Sequence, residues 1–173
     1  MKPCIIIGDK NCVTYKEVFP IIKSNQVWIG AKPMGGSLWF PTLESHTCKC
    51  KKIINGVMMT EVPCCWLTNL DHNKRHTRLD LYKKYSNEYY PKYDNYDAIE
   101  VSKVAEIPYD YDGVMGVPIS FLDKYNPEQF EIIGTIGAGG EFNVGPAIIN
   151  GVSKFKRILI RNKQVGPIFN EKE

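Results

Sequence analysis

The densest run of side chains able to do chemistry lies between His72 and Lys84. There His72, Lys74, Arg75, His76, Arg78, Lys83 and Lys84 put seven basic or potentially basic groups into thirteen residues, with Tyr82 and Tyr85 interleaved. Each phosphate such groups neutralise releases condensed counterions, so the patch predicts salt-sensitive binding to double-stranded DNA. Arg75 and Arg78 have the planar fork that contacts guanine bidentately and specifies sequence. The competing reading is a solvated charged face, which charge runs also make. Lys154, Lys156, Arg157 and Arg161 form a second basic set, ranked lower because its spacing spreads the cations over differing faces.

His46, Cys48, Cys50, Cys64 and Cys65 are the ligand types of a structural zinc site. Their spacing opposes that reading, because the adjacent pair Cys64-Cys65 in a strand points to opposite faces. Small buried thiols are expected and no metal residue is assigned. Gly137-Ala138-Gly139-Gly140 follows a strand-like run, as a phosphate loop does, but no helical pattern follows Gly140, so a mobile connection is expected. Asp94, Asp97, Asp110 and Asp112 read as surface turns. No nucleophile, general base or carboxylate pair stands out.

The elements that must position these groups begin with Cys4 to Gly8, a short β-branched run expected as a buried strand. Thr14-Tyr15-Lys16-Glu17 has the capping-box pattern, predicting a helix with Val18, Ile21 and Ile22 on one face. Val27-Trp28-Ile29-Gly30 returns as a strand, completing a βαβ-like unit too short to be a whole doubly wound domain. Ile53-Ile54-Asn55-Gly56-Val57-Met58 predicts a hairpin on a type I′ turn, and Cys64 to Thr68 continues the β character. Residues 69–97 are polar, basic and Tyr-rich, predicting loop and a short helix anchored by Leu79, Leu81 and Tyr82. Ala98 to Val101, Val117 to Phe121 and Phe130 to Ile136 read as strands. Ile148-Ile149-Asn150-Gly151 reads as a second Asn-Gly hairpin leading into Phe155 to Ile160.

With 173 residues, 43% hydrophobic and 24% charged, the chain has enough apolar side chain for one globular core and is not a disordered composition. The balance of 22 Lys and Arg against 19 Asp and Glu gives only +3, so any nucleic-acid argument rests on where the cations sit. The opening apolar run is far short of the roughly 7–15 residues of an export signal core or the roughly 20 of a membrane span. A cytoplasmic, reduced protein without a membrane partner is the expectation.

Several stretches resemble the EcoRI-type adenine-specific DNA methyltransferase family. They are Ile5-Ile6-Ile7-Gly8 with Thr14-Tyr15-Lys16-Glu17, Val27-Trp28-Ile29-Gly30 with Met34-Gly35-Gly36-Ser37-Leu38-Trp39-Phe40, and Cys65-Trp66-Leu67-Thr68-Asn69-Leu70 with Lys74-Arg75. Tyr90 to Ile99 (YPKYDNYDAI) and Ile107 to Phe130 (IPYDYDGVMGVPISFLDKYNPEQF) are the strongest, and the resemblance covers nearly the whole chain. It implies a Rossmann-like domain binding S-adenosylmethionine, a target-recognition region, and methylation of a flipped adenine at N6 within a restriction–modification or phage/mobile-element system. It also places Trp66 beside the catalytic pocket as a wall for the flipped base, with Thr68 and Asn69 as polar partners, and assigns DNA contact to Lys74, Arg75, Arg78, Lys83 and Lys84. The competing reading makes Trp66 a core residue.

The family's Asn-Pro-Pro-Phe motif, whose Asn side chain and Pro carbonyl accept the adenine amine hydrogens, is missing: only Asn126-Pro127-Glu128 comes near it. The glycine-containing cofactor motif is missing as well, and Ile5-Ile6-Ile7-Gly8 corresponds to a strand after both motifs. The resulting expectation is an α/β (or α+β) chain. Residues 1–35 end a partial Rossmann-like methyltransferase core, and 36–173 form a β-rich region with target recognition and returning strands. Alone, the chain would have no catalytic residues, would not bind S-adenosylmethionine, and would need an N-terminal half or second subunit. The alternatives are a non-catalytic DNA-binding module, a specificity subunit or an inactive remnant.

Overall fold

The computed structural model describes residues 2–35, 38–43, 51–137 and 145–166. Its strands, in chain order, are β1 Ile5–Asp9, β2 Trp28–Ile29, β3 Leu38–Pro41, β4 Lys51–Ile54, β5 Val57–Val62, β6 Cys64–Thr68, β7 Ile99–Glu100, β8 Met115–Val117, β9 Phe130–Ile136, β10 Ala147–Ile149, β11 Val152–Lys154 and β12 Arg157–Asn162. Among the described residues the α-helix is a short one, α1 Phe19–Lys23, joined by single 3₁₀ turns. The architecture is mixed α/β, with several small sheets and few helices.

The first sheet has the order β1-β6-β2, with Ile7 opposite Trp66 and Trp28 opposite Thr68. Both outer strands run antiparallel to β6, so β1 and β2 are parallel to each other with β6 between them. Strand alternation then divides the sheet. Cys65, Leu67 and Ile29 face the core and are almost fully buried, whereas Trp66 is half-buried on the other face. The expected burial of β1 does not hold: Ile5, Ile6 and Ile7 are 61%, 49% and 52% exposed. The strand is an edge with nothing described on its outer side, so its β-branched run satisfies a strand without being covered.

The capping box at Thr14 does not form. Asp9 caps a 3₁₀ turn at Lys10–Thr14 by accepting from the Asn11 amide at 2.8 Å, and the Thr14 hydroxyl donates back to the Asn11 carbonyl. The helix starts later, with Pro20 in its first turn, where a missing N–H costs nothing. Its Phe19 and Ile22 enter the core.

The second sheet, β7-β8-β12-β9, is the centre of the molecule. Ile99, Met115, Val117, Phe130, Ile136, Ile158, Leu159 and Ile160 have no exposed surface. One continuous apolar cluster joins this sheet to α1, β2 and β6. The strand expected over Val117 to Phe121 stops at Val117, because Pro118 has no N–H to continue a ladder, and a 3₁₀ turn follows over Ile119–Lys124. Both Asn-Gly hairpins form as expected. β4–β5 and β10–β11 turn through Asn55-Gly56 (φ 50 and 77) and Asn150-Gly151 (φ 50 and 75), the left-handed values a type I′ turn requires. Tyr82, expected as an anchor, is 78% exposed, while Leu79 and Leu81 do pack on the core.

Candidate nucleic-acid interface

The segment carrying the basic run leaves the end of β6 and crosses toward the second sheet, and two of its cations hold it there. Arg75 lies over the Trp28 indole, its guanidinium carbon 3.6 Å from the ring centroid, and donates to the Asn25 side-chain oxygen at 3.2 Å. Burial lowers its pKa from the ordinary guanidinium value, partly offset by Asp71 and Tyr125, and it remains a cation. Lys74 pairs with Asp123 at 3.3 Å, and the same carboxylate accepts the Met34 amide at 2.8 Å. His72 Nε2 donates to the Ile29 carbonyl at 2.9 Å, since a carbonyl can only accept. These contacts tie residues 72–75 to β2, to the turn after α1 and to the 3₁₀ turn at Ile119–Lys124.

The other predicted cations face solvent. Arg78 is exposed, its Nη2 hydrogen-bonded to the neutral Gln164 side-chain oxygen. Lys83 and Lys84 are exposed on a backbone fixed by hydrogen bonds from the Tyr109 amide to the Lys83 carbonyl at 3.0 Å and from the Tyr85 amide to Asp110 at 2.7 Å. In the second basic set Arg157 is an internal residue, paired with buried Glu100 at 2.7 Å; Arg161 pairs with Glu131 at 3.5 Å, and Lys156 donates to the Thr14 carbonyl.

Trp66 lines a cleft of about 440 Å³ on the uncovered face of the first sheet, together with Ile5, Leu38, Thr68, Leu70 and His72. The polar groups expected beside it are already engaged. The Thr68 hydroxyl donates to the Cys4 carbonyl at 2.7 Å and accepts from the Leu70 amide, while the Asn69 side chain accepts from the Cys4 amide and donates to the Lys2 carbonyl, each at 2.8 Å. Both side chains therefore fasten the N-terminal segment to β6. Asn126, nearest to the missing Asn-Pro motif, is fully buried, with its amide donating to the His76 carbonyl and accepting from the Glu128 amide.

Cys65 and Cys12 lie sulfur to sulfur at 3.9 Å in the core, and burial pushes the Cys65 thiol up to about 12. Protonated, inward thiols are poor metal ligands. Among the described residues no group of three or more His, Cys, Asp or Glu side chains converges on one point; His46, Cys48 and Cys50 lie outside the described residues, as do Ala138 to Gly140 of the glycine loop.

The Adenine-specific methyltransferase EcoRI family profile matches residues 1–163. The chain belongs to the EcoRI-type adenine-specific methyltransferase family. Among its relatives, the Type II methyltransferase M.EcoRI of Escherichia coli is 44% identical over 95% of this chain and 51% of its own length. The Type II methyltransferase M.MpnI of Mycoplasma pneumoniae is 39% identical over 76% of the chain and 44% of its own length. M.MgeORF184P of Mycoplasma genitalium is 30% identical over 95% and 58%. The chain thus spans about half the length of the relatives it matches. No solved structure matches it.

Asp123, Trp28 and Gln164 were not singled out from sequence, because each acts on the basic run from far away in the chain. Among the described residues no helix is long and apolar enough to cross a membrane.

Proposed function

We propose that this chain forms the DNA-recognition side of an S-adenosylmethionine-dependent adenine-N6 DNA methyltransferase of a restriction–modification or mobile-element system. Donor binding and methyl transfer would then be supplied by polypeptide outside these residues. The observation that carries the reading is the division of labour within the basic run. Lys74 and Arg75 are spent on holding the segment in place, which leaves Arg78, Lys83 and Lys84 exposed on a fixed backbone for phosphate or base contact. Arg75 can reach DNA only by giving up its indole stack, so Arg78 is the arginine of the run available for contact with DNA.

Two further observations favour a shared catalytic apparatus. Methyl transfer to the adenine amine needs acceptors for its hydrogens, and Asn126 has its amide occupied inside the fold. The first sheet also has one covered face and one open face, and its β1 edge carries consecutive exposed isoleucines. Strands of a doubly wound sheet are apolar on both sides because both sides are covered, and the Ile5-Ile6-Ile7 run has that character. We read β1-β6-β2 as the end of a larger Rossmann-like sheet continued beyond β1, with helices of the added polypeptide closing the open face. In that assembly Trp66 is the residue placed to stack an extruded adenine, while Thr68 and Asn69 support it from below.

Calorimetric titration of the purified chain with S-adenosylmethionine, alongside a gel-shift series on mixed-sequence duplexes at two salt concentrations, tests the division directly. Duplex binding that weakens with salt and no heat from the methyl donor are expected. Donor binding by the chain alone overturns the proposed division, and absence of duplex binding at low salt overturns the recognition role.

A further inference from the structure

A second cleft, of about 490 Å³, opens beside the basic run, apart from the Trp66 cleft. Its walls come from three places in the chain: Arg78 and Tyr82 from the basic segment, Ala105 from the 3₁₀ turn at Val104–Glu106, and Lys124 from the end of the turn at Ile119–Lys124. Its volume lies within the range of small-ligand sites, roughly 300–1,000 Å³.

The charges in it are not equivalent. Lys74 reaches the cleft but is neutralised by Asp123. Arg78 and Lys124 are both exposed and have no carboxylate partner among the described residues, Arg78 being held only by the neutral Gln164 oxygen. Asp80 brings one carboxylate to the same cleft. Tyr82 stands 78% exposed at its edge, an extent of bare aromatic surface unusual for a side chain with no packing role. Lys83 and Lys84 adjoin it in the chain.

Two uncompensated cations, one carboxylate and a bare aromatic ring around a concave space match the parts of a nucleotide. Phosphate suits the cations, a base or sugar face suits the ring, and a base amine suits the carboxylate. We infer that this cleft receives one nucleotide of a bound DNA strand, its phosphate between Arg78 and Lys124 and its base or sugar against Tyr82. The inference rests on the recognition role proposed above and adds to it Tyr82, from within the basic run, and Lys124, which lies 40 positions beyond Lys84. A DNA strand following this path passes from Lys83 and Lys84 into the cleft, so the contact surface extends from the basic segment onto the turn at Ile119–Lys124.

The test is fluorescence anisotropy of a labelled mixed-sequence duplex against the full chain and the variants Lys124→Ala, Tyr82→Ala and Tyr82→Phe, with Lys16→Ala as an equal charge change outside the cleft and Lys83→Ala within the basic run. Melting temperature is recorded for each, and every substituted residue is exposed, so the fold is expected to persist. Lys124→Ala should weaken binding several-fold and lower the salt dependence by about one ion. Tyr82→Ala should weaken it by about fivefold or more, with Tyr82→Phe close to the parent. If Lys83→Ala weakens binding while Lys124→Ala matches Lys16→Ala and Tyr82→Ala matches the parent, the recognition role stands and the cleft inference is wrong. A parent chain that does not bind duplex overturns both.

Discussion

The two main sheets of this molecule are built from similar residues and finished differently. In β7-β8-β12-β9 the Ile, Val, Met and Phe side chains are sealed apart from the partly buried Ile133, and much of its charge is internal: the Glu100 carboxylate, 4% exposed at the side chain, takes Arg157 at 2.7 Å, the Tyr93 phenol and the Ser102 hydroxyl. Gly116 lies under the Tyr93 ring, where a Cβ would collide with it. In β1-β6-β2 the same kind of β-branched sequence is left half in water. A sheet that satisfies its polar groups and covers both faces is self-sufficient. One that exposes three successive isoleucines keeps an apolar edge and face in water, the surface that the proposed added polypeptide would cover.

The comparison breaks most readily at the ion pair. Arg157→Ala leaves Glu100 as an uncompensated buried charge and should destabilise the chain by about 3–5 kcal/mol, read as a lower urea midpoint. A loss near that of an exposed pair, such as after Arg161→Ala, would show that the second sheet is not the stable half. Next comes Arg75→Ala, which removes the Trp28 stack; a cost of about 1–2 kcal/mol is expected, with faster amide exchange between Leu70 and His76. If that substitution leaves stability and exchange unchanged, Arg75 is not a structural pin, and any loss of DNA affinity it causes belongs to direct contact.

Alkaline pH gives a graded version of the same contrast. The Cys65 thiol and the Tyr90 phenol are both held up to about 12, chiefly by burial, and burial with the Glu100 contact raises Tyr93 as well. Because these groups hold their protons more tightly when folded, their stabilisation is fully present below the ordinary thiol value of 9.0 and is lost as pH rises from there through about 12. Melting temperature should therefore be insensitive to these groups at neutral pH and fall above pH 9; a rise over that interval would contradict the assignment. The smallest effect is expected on the open sheet. Ile7→Ser should change stability by only about 0.5 kcal/mol, because the side chain is already in water. A large loss of stability would mean that β1 is covered within the chain itself.

How much of this was legible in the sequence depended on the distance over which each feature is decided. The Asn-Gly hairpins are decided by adjacent residues, since positive φ at both turn positions is a local demand, and they formed where expected. The strand at Ile5-Ile6-Ile7 was equally readable, but its burial was not, because whether a strand is covered depends on what packs beside it. The capping box at Thr14 lost to Pro20, whose fixed φ starts the helix later, and to Asp9, which caps the preceding turn. The basic run was visible as a run. Its division into pins and free cations was not, because Asp123 and Trp28 lie 49 and 47 positions away from Lys74 and Arg75, respectively, in the numbering. Family membership was carried by long idiosyncratic stretches such as Ile107 to Phe130, where order and identity together leave little room for coincidence.

The most direct measurement is transfer of labelled methyl groups from S-adenosylmethionine to duplex DNA by the purified chain, with no second protein present. The proposed division between recognition and chemistry predicts salt-dependent DNA binding with no label incorporated above background. Labelled N6-methyladenine formed by this chain alone would contradict it.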